Sequence, residues 1–216
     1  QLAQTQFCRA LLARCDFTGA DLSEAAFVEC DLVGADFSRA RLDDAQFVEC
    51  RAAGTGWRGC EGARSVFYRF ACADADFGDA RLPGARFVEA VALPGASFEN
   101  AVLTDAYFGQ DSELGNARFD GARARGADFT RCRLAGASLR RTDLRQASLR
   151  MAMLEGADLS GANLMDANLS NAVAFGARLV DCNLYAADLA RIRLDTRTVI
   201  DDSLVQRART HPRWRP

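Results

Sequence analysis

Residues able to carry chemistry are plentiful in this sequence, but few stand at the spacings that a catalytic or metal site needs. The eight cysteines include no C-x-x-C pair, and the single histidine is His211. A nucleophile needs a general base within hydrogen-bond reach, and a zinc site needs clustered Cys or His ligands. One histidine near the end of the chain supplies neither. The sequence therefore predicts neither an enzyme nor a metal site.

Two further segments contain residue types found in ligand sites, but neither has the sequence context that such a site requires. Gly54–Gly59 reads G-x-G-x-x-G, which binds a dinucleotide only between the strand and helix of a βαβ unit. Here Thr55 and Trp57 belong to a five-residue repeat, and no helical pattern follows. A group of carboxylates lacks the spacing of an EF-hand: Asp74, Asp76 and Asp79. We therefore expect no cofactor, and we expect these carboxylates to be solvated.

A five-residue repeat organises most of the chain. One residue in five is usually Leu or Phe and is called the central residue here; the series begins Leu2, Phe7, Leu12, Phe17, Leu22, Phe27, Leu32, Phe37. Two residues earlier stands Ala or another small residue, and the residue just before the centre is often Asp or Asn. The phase changes by one residue near 88–93 and again near 109–114, and from Leu114 it is predicted to run unbroken to Leu204.

A period of five fits neither a helix nor a straight strand. Five residues turn an α-helix by about 500°, which spreads the central residues around it, and an odd period alternates faces on a strand. The central residues are all buried only if the chain turns a corner every five residues, so that four units close a square coil. Leu and Phe mostly alternate at the centre as far as Phe129, which predicts Phe on two opposite walls and Leu on the other two.

The cysteines follow the same repeat. Six of the eight stand where the repeat otherwise places Ala: Cys15, Cys30, Cys50, Cys60, Cys132 and Cys182. We interpret them as small buried apolar residues in a reducing compartment. No apolar run approaches the roughly 18 residues of a membrane span. The chain has 27 cationic residues, all of them Arg, which is typical of a GC-rich bacterial gene. We expect a cytoplasmic bacterial protein.

The repeat resembles the pentapeptide-repeat family, whose pattern is Ala-(Asp/Asn)-Leu followed by two variable residues. Units such as Ala20-Asp21-Leu22 and Ala162-Asn163-Leu164 carry the resemblance. It implies an all-β, right-handed quadrilateral β-helix of about ten coils, here predicted over 1–204. The short, Arg-rich segment 205–216 is predicted to be a C-terminal cap or tail, with Trp214 placed to cover the last coil. Some members resemble a DNA duplex and bind type II topoisomerases, giving quinolone or toxin resistance. Others are interaction modules, including accessory proteins and effectors of bacterial secretion.

Charge is divided unevenly along the chain. Residues 1–117 carry 10 Arg against 18 Asp or Glu, whereas residues 118–150 carry nine Arg against three Asp. A DNA mimic favours an unbroken acidic surface, and this Arg-rich band interrupts it. Acidic segments on both sides of the band also disfavour direct binding of nucleic acid. The band is our second candidate interface: Arg131, Arg133, Arg140, Arg141, Arg145 and Arg150.

A row of apolar residues predicts the first candidate interface. Units four apart stack on one wall, and the residue after each central Phe should face outward. On one wall this row reads Cys8, Val28, Val48, Tyr68 and Val88, with Glu29, Glu49 and Glu89 as its polar rim. The row is explained either by the preference of β-branched residues for strands or by a protein interface.

The sequence as a whole predicts a non-catalytic scaffold that binds a protein partner and is one module of a larger protein. Two alternatives stay open, a DNA mimic that binds a type II topoisomerase and a secretion-system accessory or effector module. The partner is not identified by the sequence, and a homodimer is one of the options.

Overall fold

A computed structural model describes residues 2–89 and 91–210. These residues form a parallel β-solenoid of about ten turns, with no helix among them, which confirms the predicted fold class. The strands are β1 Gln6–Cys8, β2 Ala26–Val28, β3 Gln46–Val48, β4 Val66–Tyr68, β5 Arg86–Val88, β6 Tyr107–Phe108, β7 Arg178–Val180 and β8 Val199–Asp201. Strands β1 to β6 make one sheet in chain order, and β7 pairs with β8. Isolated parallel bridges connect the other walls.

Four walls enclose the shaft, each built from every fourth repeat. We name them by their central residues: wall A contains Leu22, Leu42 and Leu82; wall B contains Phe27, Phe47 and Phe87; wall C contains Leu32, Leu93 and Leu114; wall D contains Phe37, Phe77 and Phe98. All twelve of these side chains are fully buried. The corners between walls are mostly hydrogen-bonded turns, as where the Ala25 N–H donates to the Leu22 carbonyl at 3.0 Å.

Aromatic stacks fill the N-terminal part of the shaft. On wall B the rings of Phe27 and Phe47 are parallel at 4.9 Å, and on wall D those of Phe77 and Phe98 are parallel at 4.8 Å. Rings of the two walls meet edge to face, as Phe87 and Phe98 do at 6.0 Å. The predicted placement of Phe on two opposite walls is therefore confirmed. Beyond Phe129 the buried central residues are mostly Leu.

The least regular part of the shaft is packed by exchanging large and small residues. Phe70 is buried where the repeat usually places Ala, and the buried central residues of wall C in these coils, Ala52 and Cys72, are small. Trp57 is also buried, and its indole N–H donates to Thr55, whose hydroxyl donates to the Ala52 carbonyl at 2.8 Å. Volume and hydrogen bonding are thus both satisfied inside a narrow shaft.

The pairing register shows where residues are inserted. Val66 pairs with Arg86, four units of five further along the chain, whereas Ala71 pairs with Ala92, which is one residue further than four units. The longer offset recurs between Tyr107 and Asp128, and the offset returns to four units between Glu113 and Arg133. One extra residue therefore lies between Val88 and Ala92, and another between Phe108 and Glu113.

A third insertion corrects the predicted phase near the C-terminal end. Val173 pairs with Arg193 at the regular offset of four units, but Arg178 pairs with Val199, one residue further. The prediction of an unbroken phase to Leu204 is wrong, because the central residues shift to Ile200 and Val205. Bridge pairing continues past Leu204, since Asp188 pairs with Arg209. His211 and the proposed cap residue Trp214 lie outside the described residues.

Candidate protein-binding face

The apolar row predicted on wall B is continuous in the structure. Cys8 pairs with Val28, Val28 with Val48, Val48 with Tyr68, and Tyr68 with Val88, all in parallel register. The four residues from Val28 onward are half-buried, and Cys8 is exposed. Because adjacent strands are about 4.8 Å apart, the row is a strip roughly 20 Å long.

Strands β1 to β5 of wall B extend past the central residue, as only β7 and β8 of wall D also do among the described residues. In β2 the chain stays extended through Val28, so this residue pairs with its neighbours above and below. On wall A the equivalent residue, Ser23, already begins a turn. β-Branched and aromatic side chains favour extended backbone, and here they occupy the position that decides between strand and turn. The sequence thus builds a flat surface on wall B over its first five coils.

A second outward row lies beside the first and was not anticipated from the sequence. It consists of the residues just before the central Phe: Gln6, Ala26, Gln46, Val66, Arg86 and Tyr107. The signal was present in the repeat, because Asp or Asn often holds this position, whereas Ala26 and Val66 are apolar. Together the parts of the two rows that lie on strands β1 to β5 form the wall B face.

Charged residues border the wall B face where it meets wall C. Glu29 pairs with Arg9 at 2.9 Å, while Arg69 pairs with Glu49 at 3.1 Å and with Glu89 at 3.2 Å. The predicted rim glutamates are therefore bound to arginines of the same row. These side chains are about half exposed or more, so each pair contributes little to stability. The pairs nevertheless hold positive and negative charge at defined places along the rim.

Tyr68 is held in place by this rim. Its hydroxyl donates to Glu89 at 2.7 Å, which raises the pKa of Tyr68, and the Arg69 guanidinium lies 5.3 Å from the ring centre. A tyrosine that is already ordered loses less side-chain entropy on contact with a partner.

Gly109 ends the wall B face. Phe87 pairs with Phe108, which sets Gly109 directly after the last paired residue of β6. A β-carbon at Gly109 would lie 2.9 Å from the Phe87 carbonyl oxygen, closer than real β-carbons approach. Only glycine fits this inserted position, and the apolar row stops there.

The second candidate interface is not a single surface. The structure distributes its six arginines around the rod: Arg145 on wall A, Arg131 and Arg150 on wall B, Arg133 on wall C, Arg140 and Arg141 on wall D. Four of them face acidic partners, as Arg133 does with Glu113 at 3.0 Å and Arg145 with Asp143 at 2.6 Å. The band is a girdle of partly paired charge, because the segment is longer than one turn of the solenoid and so wraps around it.

The remaining chemistry-bearing residues take structural positions. Thr55 and Trp57 of the glycine-rich motif are buried in the shaft, so this segment forms no phosphate loop. Arg58 binds Asp79 at 2.6 Å and Asp76 at 3.4 Å across the neighbouring coil. Among the described residues, no cluster of Cys, His, Asp and Glu is placed to hold a metal, and no helix could cross a membrane.

The cysteines are free thiols, and most are buried as the repeat predicts. Burial raises the pKa of Cys50, Cys60 and Cys72 to about 12, so these thiols stay protonated. The thiols also donate hydrogen bonds that the sequence did not indicate, as from Cys50 to the Phe27 carbonyl at 3.3 Å. Cys15 is only half-buried, because it lies in the first described coil.

Comparison with known proteins agrees with this architecture. The family model described as pentapeptide repeats matches eight copies, over residues 1–39, 15–55, 112–150 and 152–191. No curated protein matches the chain. Among solved structures, HetL from Nostoc sp. strain PCC 7120, a pentapeptide repeat protein involved in heterocyst differentiation regulation, is 26% identical, with 95% of this chain and 88% of HetL covered and a TM-score of 0.49. QnrB1, a plasmid-mediated fluoroquinolone resistance protein, is 23% identical, with 91% and 86% covered and a TM-score of 0.47.

Proposed function

Because the chain belongs to the pentapeptide-repeat family, we propose that it is a non-catalytic scaffold whose wall B face binds a protein partner. The proposal includes a cytoplasmic, bacterial setting and a role as one module of a larger protein. The proposed binding surface is flat, apolar along its centre and charged along both edges, which fits a folded protein surface better than a small molecule.

One observation carries this proposal: the wall B face presents an unbroken row of apolar side chains, half-buried from Val28 to Val88. The equivalent positions of wall D hold Thr18, Ser38 and Arg58, and those of wall A hold Ser23 and Asp43. Contiguous apolar surface bordered by polar groups is typical of an interaction site. The strand preference of valine and tyrosine explains why the row is extended, whereas the continuity of the row over neighbouring coils and its charged rim are what favour an interface.

DNA mimicry is supported less well by the same surface. The acidic half of the rod carries arginines that neutralise some of its carboxylates, as Arg64 does with Asp44 at 2.5 Å and Arg69 with two glutamates. A duplex mimic needs rows of uncompensated negative charge. A secretion-system accessory or effector module would be a specific form of the scaffold, and no feature of the wall B face favours or opposes it.

Substituting the face directly tests the proposal. We would replace Val28, Val48 and Val88 together with Arg and compare this variant with a matched triple on wall D, Thr18→Arg, Ser38→Arg and Ser160→Arg. Both sets lie one residue after a central residue, so both should keep the fold by circular dichroism and melting. Proteins retained by the wild type and the wall D triple should be lost from the wall B triple in quantitative capture. Identical retention by all three proteins would sink the proposal.

A further inference from the structure

The edges of the wall B face carry charges in a self-complementary order. Along the edge with wall C the outward residues read Arg9, Glu29, Glu49, Arg69 and Glu89; along the edge with wall A they read Gln4, Glu24, Asp44, Arg64 and Gly84. Each row has one residue per coil, and its middle residue, Glu49 or Asp44, belongs to the third coil. Reversing the first row exchanges Arg9 with Glu89 and Glu29 with Arg69, so every charge except that of the central Glu49 meets its opposite.

We propose that the partner of the wall B face is a second copy of this chain, docked face to face and antiparallel about a two-fold axis that runs along β3. This inference rests on the proposed function, because it uses the same face. A two-fold axis along the strand direction places each edge against the same edge of the second copy, with the order of the coils reversed. Arg9 then faces Glu89 of the second copy, Glu29 faces Arg69, and Glu24 faces Arg64.

Like charges meet only on the axis, where Glu49 and Asp44 face their own copies. Each of these carboxylates is already bound within its chain, Glu49 by Arg69 at 3.1 Å and Asp44 by Arg64 at 2.5 Å. The Arg64 hydrogen bond also lowers the pKa of Asp44. The axis therefore brings together two ion pairs, not two bare carboxylates.

The parallel arrangement is opposed by the same charges. A two-fold axis along the rod would set the wall C edge of one copy against the wall A edge of the other. Glu29 would then face Glu24, Glu49 would face Asp44, and Arg69 would face Arg64. Like charges placed opposite each other disfavour an arrangement at an interface, so charge order selects the antiparallel dimer.

The apolar centre is compatible with the antiparallel arrangement. Val48 faces Val48 of the second copy on the axis, and the small Val28 faces the larger Tyr68. In the neighbouring row Ala26 faces Val66, and the two Gln46 amides, which are donors and acceptors at once, face each other. Large residues thus oppose small ones on both sides of the axis.

The size of the face sets the strength of the dimer. Five strands about 4.8 Å apart and a wall about 10 Å wide give a contact well below the ~800 Å² per partner of a standard interface. We therefore expect a weak, transient dimer. Because its edges are solvated charge pairs, we expect it to weaken at high salt.

Charge reversal and re-reversal test the dimer. Glu29→Arg alone sets two cations opposite each other, the new side chain and Arg69 of the second copy. Arg69→Glu alone sets two carboxylates opposite each other, the new side chain and Glu29 of the second copy. Each single variant should be monomeric by sedimentation velocity at concentrations where the wild type dimerises. The double variant E29R/R69E restores opposite charges across the axis and should regain the dimer, and Arg141→Glu, a charge reversal on wall D, should leave the dimer intact.

Two results would overturn the inference. A wild type that stays monomeric at ~100 µM in low salt would exclude the second copy as partner, as would a double variant no more dimeric than the singles. The capture experiment separates these failures from a failure of the scaffold itself. A monomer whose wall B triple still loses a bound protein would retain the proposed function and lose only the antiparallel dimer.

Discussion

On the N-terminal half of wall B, Val28, Val48 and Val88 continue the strands past the central Phe. On the C-terminal half of the same wall, Arg150 and Ser170 begin a turn at the equivalent position. There the Ala152 N–H donates to the Leu149 carbonyl at 3.1 Å, and the corner closes tightly. Both halves share one buried framework and one coil spacing. The single residue that follows each central position therefore decides whether the surface of the wall is strand or turn, while the coil continues unchanged.

The edge charges of the two halves differ in the same way. The N-terminal edge has charges in a self-complementary order, whereas the C-terminal edge of wall B reads Arg131, Met151, Asn171 and Arg191. These residues offer no reversed pairing. The proposed interface is therefore confined to the first five coils, and the C-terminal coils serve as a support and as the region where the Arg girdle begins.

The largest effect is expected on stability, at Leu159 in the buried shaft that runs through both halves. Leu159 is fully buried in the aliphatic half, and Ser160 follows it on the surface. Leu159→Lys should lower stability by at least about 3 kcal/mol, because it removes packing and buries a charge. Ser160→Lys should stay within about 0.5 kcal/mol. Melting temperatures check both, and equal values for the two variants would contradict the assignment of the shaft.

Gly109 lies on wall B at the boundary between the N-terminal strand surface and the C-terminal turn surface, and substituting it tests how tightly that boundary is packed. Gly109→Ala should destabilise the protein by about 2 kcal/mol, because the new methyl meets the Phe87 carbonyl oxygen and the backbone must shift. Gly115→Ala is the matched control, since its β-carbon would lie 3.7 Å from the nearest carbonyl oxygen, at ordinary contact distance. Urea unfolding measures the difference. Similar midpoints for the two variants would mean that the insertion is not tightly packed.

The aromatic half can be made locally aliphatic at Phe98. This ring stacks on Phe77 at 4.8 Å and on Phe119 at 4.9 Å. Phe98→Leu should cost about 1 kcal/mol through lost contact area. Phe175→Leu, at a half-buried surface site of the aliphatic half, should cost clearly less. A larger loss at Phe175 in urea unfolding would contradict the aromatic stack as a source of stability.

The smallest expected effect concerns the girdle between the halves. Because arginines interrupt the acidic surface, we expect the protein not to protect DNA gyrase from quinolone. A supercoiling assay with drug, with and without protein, measures this, and the fluoroquinolone resistance protein QnrB1 serves as the positive control for protection. Protection at micromolar protein would promote the DNA mimic over the scaffold.

The sequence was sufficient to predict the walls but not every surface. The five-residue period placed Phe27 and Phe98 in the shaft because burial of the central residue is the strongest constraint on the chain. The third insertion was missed because Val199-Ile200 and Leu204-Val205 offer apolar residues in two adjacent registers. Pattern alone cannot choose between them, whereas backbone pairing does.

The candidate sites were harder to predict, for a geometric reason. The wall B row was found because every fourth unit stacks on the same wall, which converts sequence spacing directly into neighbours. The arginines from 131 to 150 are close in sequence, but a coil carries neighbours in sequence to different walls. The charge order of the edges was visible in the sequence, yet its meaning depends on which residues share an edge.

Docking of a second copy on the wall B face is tested most directly by tyrosine footprinting across a concentration series. The chain has three tyrosines, and only Tyr68 lies within the proposed contact, since Tyr107 lies beyond it on wall B and Tyr185 is on wall A. We expect radical labelling of Tyr68 to fall several-fold between dilute and ~100 µM protein, while Tyr107 and Tyr185 keep their labelling. Unchanged labelling of Tyr68, or an equal fall at all three tyrosines, would contradict docking on this face.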